Sequence, residues 1–427
     1  MPGMGIFMME MFALEEELRD SSYVMATYYI ETGQGEDIVK KARAFAIGQT
    51  LGTWVDVPYI SQDMADRHMA KIIDITEAPP WDLKYSAEDK KKYFIKLAFP
   101  AVNFSDNLTM LITALLGNDA STSSQAKLVN LLLPKQYVGN FKGPKYGIQG
   151  LRELTGVWDR PILLNMIKPC TGITPEIGAK IFYETALGKV DIIKDDELLG
   201  NTSFSPLKNR IQEYRKAAEN AWKVTGKRTL YAVNITDRAD RMPENAKIAR
   251  DYGADAIMIN YAAVGYCMMN YISGLVDLPV LGHYAGSGMW SESCCSGMGS
   301  HLVNGLLPRL TGADIAIINT PYGKYPLNHP SYIKTVQRLT CEYYGIKKTA
   351  PAVGGGVHPG VVKTFVDELG KDIVLAAGGA VHGHPNGAAA GVGAMLGAIE
   401  AAVAGIDIKV AAEENQDLKL ACEFWNR

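Results

Sequence analysis

The segment Val190–Glu197, VDIIKDDE, ends an apolar run in one lysine and three acids. Strand alternation puts Ile192, Lys194 and Asp196 on one face, while Asp195 points the other way. Glu197 can join Lys194 and Asp196 only if the strand stops and bends there. Carboxylates gathered at a strand end suit a hard cation such as Mg²⁺, which takes oxygen ligands. Lysine is not an oxygen ligand, so the set is one group short. Taken alone, the segment fits equally well an acidic turn that opens a helix, with a salt-bridged lysine.

The elements around it bear on that choice. From Pro161 onward short apolar runs recur, each followed by a helix-length segment: PILLNMIKP, VDIIKDDE, TLYAVNIT, AIMINYA, PVLGHYA, ADIAIIN, APAVGGG and IVLAAGGA. Runs without polar alternation imply parallel strands buried on both faces. Eight such units predict a (β/α)₈ TIM barrel over 146–405, with an open doubly wound sheet as the alternative. Chemistry then belongs at the C-terminal strand ends, and polar residues and glycines collect there. Strand one ends in Lys168, strand two in Lys194, Asp196 and Glu197, and strand three in Asn234 and Thr236. Strand five ends in His283, strand seven in Gly354–Gly356 and His358, and strand eight in Gly378 and Gly379. Loops after strands seven and eight are the usual phosphate cradle of such a barrel, because close backbone approach needs glycine.

The region 21–145 reads as a separate α+β domain. VMATYYIET and KYFIKLAFP are strand candidates, while GEDIVKKARAFAIGQTL and NLTMLITALLG are helical. Residues 406–427 read as a helical tail. The methionine-rich start, residues 1–20, leads into Glu15, Glu16 and Glu17 and is expected to be a loose end, neither signal peptide nor membrane span. At 427 residues, 47% hydrophobic and 21% charged, the composition is that of a globular protein. A net charge of −3 without a basic run argues against nucleic acid as a partner, and nothing points to a membrane. Six cysteines without CxxC spacing argue against zinc and for reduced thiols in the cytoplasm. Cys170 reads as a small space-filler, having no histidine beside it in sequence.

At these residues the chain resembles the large subunit of ribulose bisphosphate carboxylase (RuBisCO), and more closely the RuBisCO-like, form IV proteins. GTW at Gly52–Trp54, FPAVNFS, GPKYGIQGLR, IKP, IIKDDE, VGGGVHPG and AAGGAVHGHPNG carry the likeness, which spans nearly the whole chain. It implies a ferredoxin-like N-terminal domain ahead of the barrel. It also implies that CO₂ adds to Lys194 as a carbamate, supplying the missing Mg²⁺ ligand beside Asp196 and Glu197. A homodimer or higher homo-oligomer is implied, in which Thr53, Trp54 and Asn118 of one chain complete the partner's site. Phosphate contacts carry over to Thr53, Gly356, Gly378 and Gly379, and the mobile-loop lysine to Lys324.

Departures from the carboxylase narrow the function. Its second strand-one lysine is Cys170 here, the arginine after the strand-five histidine is Tyr284, the strand-six histidine falls at Ile317, and an N-terminal glutamate falls at Gly48. Arginine and histidine hold the second phosphate of a bisphosphate. Losing two charge-assisted hydrogen bonds of about 1.5–3 kcal/mol each costs roughly two to four decades of affinity. Carboxylation is therefore not expected; the substrate should carry one phosphate and a less charged end near Tyr284 and Ile317. That description resembles the enolase of methionine salvage, acting on 2,3-diketo-5-methylthiopentyl-1-phosphate. Lys96 in KLAFPAVNFS then matches its proposed base, with a pKa lowered by burial, Lys168 polarises or protonates the substrate, and His283 and Asn118 orient it. The segments IKPC, HYAGSG and NTPYGK, together with Asn118, depart from the enolase pattern. The alternatives are an isomerase, or a decarboxylase or C–C-cleaving enzyme on a phosphorylated sugar acid such as 3-oxo-isoapionate 4-phosphate, with Lys324 closing over a carboxylate. All begin from an Mg²⁺-stabilised enediolate. A non-catalytic binding protein is the remaining class, disfavoured by the intact lysine–carboxylate set.

Overall fold

The computed structural model describes residues 8–18, 22–33, 35–52, 59–79 and 90–425, which fall into two compact units. The first comprises Met1–Phe141 with Ser287–Val303. Its strands β1 (Tyr23–Thr32), β2 (Lys71–Glu77), β3 (Lys91–Pro100) and β4 (Lys127–Leu132) lie in the order β4-β1-β3-β2, each pair antiparallel. Helix Ile38–Gly48 connects toward β2 and helix Leu108–Leu115 joins β3 to β4, which is the ferredoxin-like pattern. Asp37 starts the first helix by accepting from the amides of Val39 and Lys40, and Asn107 starts the second by accepting from Met110. Each helix buries one apolar stripe, with Ala42, Phe45 and Ala46 on the first and Leu108, Leu111 and Leu115 on the second.

Within the stretch 1–20, expected as a loose end, the described residues 8–18 are instead held in place. Phe12 bridges Ile72 on β2, the Ala13 amide donates to the Ile72 carbonyl, and Met11 is fully buried. A short helix, Glu15–Leu18, follows.

The second unit holds β5 (Ile162–Met166), β6 (Ile192–Lys194), β7 (Leu230–Asn234), β8 (Ala256–Asn260), β9 (Val280–His283), β11 (Ile315–Ile318), β12 (Ala350–Val353) and β13 (Val374–Ala377). They are the eight apolar runs, and they close into a parallel barrel as β13 pairs with β5. Every residue in these strands is buried except Met166, as a sheet covered on both faces requires. Inward-facing Ile162, Leu164, Ile192, Leu230, Ala232, Met258, Leu281, Ile315, Ile317, Ala352, Val374 and Ala376 fill the barrel interior. Helices Ile408–Glu414 and Gln416–Trp425 end the chain.

Between β9 and β11 the chain leaves the barrel. Ser287–Val303 belongs to the first unit, where β10 (Gly297–Met298) adds in parallel to β4. The expected N-terminal domain, 21–145, did not include this segment. Among the described residues no helix is long and apolar enough to cross a membrane.

Candidate active site

Alternation builds the rim of the barrel. Two residues beyond the last inward apolar residue of each strand come Met166, Lys194, Asn234, Asn260, His283, Asn319, Gly354 and Gly378. Apart from Met166, apolar layers thus give way to a layer of amine, amides, imidazole and bare backbone at the C-terminal mouth.

β6 stops at Lys194, and the chain turns at Glu197, with the Leu199 amide donating to the Asp196 carbonyl at 3.1 Å. That is the bend Glu197 needs to face Lys194. The Lys194 Nζ lies 3.8 Å from Glu197 Oε2 and donates to the Asp195 carbonyl at 2.9 Å. Its side chain is fully buried, and burial lowers its pKa below the ordinary lysine value. Lys168 reaches the same turn from the end of β5. Its Nζ donates to Asp196 Oδ2 at 2.5 Å and to Cys170 Sγ at 3.1 Å. Burial opposes the Lys168 charge, but these two partners outweigh it and raise the pKa, so the amine stays an ammonium. The other Asp196 oxygen accepts from the Leu198 amide.

His283, at the end of β9, places Nε2 3.4 Å from Glu197 Oε2. The Ala285 amide donates to its Nδ1, which puts the ring proton of the neutral form on Nε2, facing the carboxylate. Burial, then the charges of Lys194 and Lys168, hold its pKa well below the usual histidine value. Tyr284 stacks on His283 with ring centroids 5.4 Å apart and packs on the apolar cluster that contains Ile317. Burial pushes the Tyr284 phenol up to about 12, so it stays neutral.

Asp195 points away from the mouth, as alternation requires. It accepts from Arg210 Nε at 3.2 Å, from the Tyr231 hydroxyl at 2.8 Å and from the Asn234 amide at 2.9 Å. Both members of the Asp195–Arg210 pair are fully buried. Asn234 and Asn260 each donate a side-chain N–H to the Glu197 carbonyl, at 3.2 and 3.3 Å. Asn260 and Arg210 were missed by sequence reasoning. Asn260 carried a signal, since it ends its strand as Asn234 does; Arg210 carried none.

The glycine loop after β12 meets the loop that carries Lys324. Gly356 has φ +113°, and the Lys324 amide donates to the Gly355 carbonyl at 2.6 Å. The Lys324 side chain is exposed, its Nζ 5.4 Å from the centre of the Tyr325 ring. After β13, a Cβ on Gly378 would lie 2.8 Å from Met166 Cγ and 3.5 Å from Lys168 Cε, while Gly379 faces open space. The barrel therefore brings together Lys168, Lys194, Asp196, Glu197, His283 and Tyr284.

Lys96 and Asn118 belong to the first unit. Lys96, on β3, forms an ion pair with Glu15 Oε2 at 2.5 Å. Exposed Asn118 lines a cavity of about 810 Å³ with Gln49, His68, Asn103 and Asp119. Gly48 lines the same cavity, and a Cβ there would lie 2.1 Å from Asp119 Oδ2. Thr53 and Trp54 lie outside the described residues.

Two family models match the chain. Residues 14–137 match the ribulose bisphosphate carboxylase large chain, N-terminal domain, and residues 147–425 its catalytic domain. A ribulose bisphosphate carboxylase-like protein of Archaeoglobus fulgidus is 39% identical, over 94% of this chain and 93% of that one. A 2,3-diketo-5-methylthiopentyl-1-phosphate enolase of Geobacillus thermodenitrificans is 35% identical, over 95% and 98%. Among solved structures, a rubisco-like protein (MtnW) from Alicyclobacillus acidocaldarius superposes with a TM-score of 0.87 at 32% identity, covering 94% of this chain and all of that one.

Proposed function

The chain belongs to the ribulose bisphosphate carboxylase large-chain family, and on that premise we propose that it is a keto–enol tautomerase using Mg²⁺. Its substrate is a singly phosphorylated ketone, 2,3-diketo-5-methylthiopentyl-1-phosphate. The observation that carries this reading is the composition of the barrel mouth. Lys168, Lys194, Asp196, Glu197 and His283 converge there, while Tyr284 and the Ile317 cluster provide an uncharged wall where a second phosphate would need cations. The enolase names of relatives at 35% identity support it.

The donor set fits Mg²⁺ on one condition. Among the described residues no group of three or more His, Cys, Asp or Glu side chains could hold a metal ion. Asp196 and Glu197 offer two carboxylates, and a third oxygen ligand comes from Lys194 once CO₂ has added to its amine. Burial favours the neutral amine, which is the form that adds CO₂. Bound there, Mg²⁺ would polarise the substrate carbonyl and acidify the neighbouring C–H.

The chain's own residues supply the rest of the chemistry. The Lys168 ammonium, aimed by Asp196 and Cys170, donates to a substrate oxygen. Neutral His283 offers an Nε2–H beside Glu197 and orients the substrate. Gly356, Gly378 and Gly379, with Thr53, take the phosphate through backbone amides. Lys96 and Asn118 act from the first unit of a second copy in a homodimer, Lys96 as the base, and Lys324 closes the mouth.

A second reading, a decarboxylase, C–C-cleaving enzyme or isomerase on a phosphorylated sugar or sugar acid, has one observation in its favour. Asn118 and the NTPYGK segment depart from the enolase pattern. One assay separates the two readings. Enzyme with Mg²⁺ and bicarbonate is mixed with the diketo phosphate, and the absorbance of the conjugated enol is followed. Rapid growth is expected; a flat trace rejects this substrate and moves the test to CO₂ release from phosphorylated branched sugar acids.

A further inference from the structure

We infer that Tyr322 is a positioning residue: bonded to Glu368, it holds the loop that carries Lys324 against the glycine loop after β12. The inference rests on the closing role proposed above for Lys324. β11 stops at Ile318, and Asn328 opens helix His329–Thr340 by accepting from the Ser331 amide, so residues 319–328 form the loop between them.

Two contacts fix the middle of this loop. The first is backbone on backbone. The Lys324 amide donates to the Gly355 carbonyl, and a Cβ on Gly323 would lie 2.2 Å from that same oxygen, so the approach is one that glycine alone permits. The second contact is made by side chains. On helix Val362–Leu369, Phe365 and Glu368 are three residues apart and share a face. Tyr322 meets both of them. Its ring lies 5.8 Å from the Phe365 ring, centre to centre and inclined by 65°, and its hydroxyl donates to Glu368 Oε1. His329, the first residue of the following helix, places Nε2 3.1 Å from the same oxygen. Glu368 Oε2 is buried and has no hydrogen-bond partner among the described residues. The carboxylate is thus held through one oxygen, by residues 322 and 329 on either side of Lys324.

A backbone bond at Lys324 alone would leave the loop free to pivot about it. The contact at Tyr322, two residues away and on a different neighbour, removes that freedom and fixes the direction in which the Lys324 side chain leaves the loop. A hydrogen bond to a carboxylate is stronger than one between neutral groups. Without it the docked loop becomes one arrangement among several. Substrate must then select that arrangement, and its apparent affinity falls by the docked fraction.

Hydrogen exchange over residues 320–327, read by mass spectrometry, tests the contact without any substrate. Tyr322→Phe keeps the ring on Phe365 and removes the hydroxyl. The Lys324 and Leu327 amides, which donate to the Gly355 and Thr320 carbonyls, should then exchange several-fold faster, while β11 and β12 keep wild-type rates. Glu368→Ala should give at least that acceleration, and adding Tyr322→Phe to it should give nothing more, since both remove one bond. Wild-type exchange in Tyr322→Phe, multiplied effects in the double variant, or faster exchange throughout the barrel each overturns the inference, whatever the substrate. In the enol-forming assay Tyr322→Phe should lower kcat/KM several-fold, chiefly through KM, and should add nothing to the loss caused by Lys324→Ala. The same several-fold loss in the Lys324→Ala background overturns the positioning role. Unaltered exchange strikes Tyr322 alone and leaves the role of Lys324 standing, whereas full activity of Lys324→Ala removes the closing role and that of Tyr322 with it.

Discussion

Lys194 and Lys168 lie at the same turn, yet their surroundings give them opposite proton preferences. Lys194 is sealed in the barrel, where burial favours the neutral amine, whereas Lys168 is kept charged by Asp196 and Cys170. Replacing Lys194 with alanine should abolish Mg²⁺-dependent enol formation, read as product absorbance with and without the cation; full activity would remove the carbamate from the reading. Lys96→Ala should stop exchange of the proton beside the carbonyl, followed by NMR in D₂O, while phosphate binding persists; exchange at the wild-type rate would mean that another group is the base. Arg210→Ala would leave Asp195 buried without its cation, at a cost of about 3–5 kcal/mol in denaturant unfolding. These residues were unequally legible. Lys168, Lys194, Asp196, Glu197 and His283 end strands, where the barrel rule looks for them. Arg210 sits within a helix, and only packing shows what it faces.

At the scale of elements, the strand ends followed from apolar runs, but the detour between β9 and β11 did not. Gly297–Met298 is too short to carry a period, and its partner β4 lies far back in the chain. Its geometry depends on Gly297, which has φ +77° and where a Cβ would lie 2.1 Å from the Trp290 carbonyl oxygen. Gly297→Ala should therefore cost about 1–3 kcal/mol. It should also speed hydrogen exchange of the Gly299 amide, which donates to the Leu128 carbonyl. Unchanged exchange would mean that β10 tolerates a side chain there. β2 and β4 also went unread, because neither keeps a two-residue alternation: β2 shifts register between Ile72 and Asp74, and the buried residues of β4, Leu128 and Leu131, are three apart.

For the molecule as a whole, three histidines make stability depend on pH. Burial holds the pKa of His283 well below the ordinary value, lowers that of His358, and brings His382 down to about 4. Unfolded histidines titrate near 6.5. Above that pH neither state is protonated and these groups contribute no slope. Below it the unfolded chain takes up protons that the folded one refuses, so stability falls as pH drops from about 6.5 toward 4. His382 is partly exposed, and its share is on the order of 1–3 kcal/mol. Denaturant midpoints at pH 7.5 and 5 measure the drop, and His382→Asn should flatten it; an unaltered slope would assign it to other groups.

The amino-acid sequence by itself determined that short buried strands alternate with helices, and it set a lysine and carboxylates at the end of one of them, in VDIIKDDE. Such features follow from local sterics and from water's exclusion of apolar side chains, both written in short windows. Closure into a barrel rather than an open sheet was decided by the pairing of β13 with β5. Only the tertiary structure decided which charge meets which: Glu15 with Lys96, Asp195 with Arg210, Lys168 with Asp196, His283 with Glu197. Those pairings join residues from separate elements. Their partners are chosen by where packing carries each side chain, a quantity that no local pattern holds.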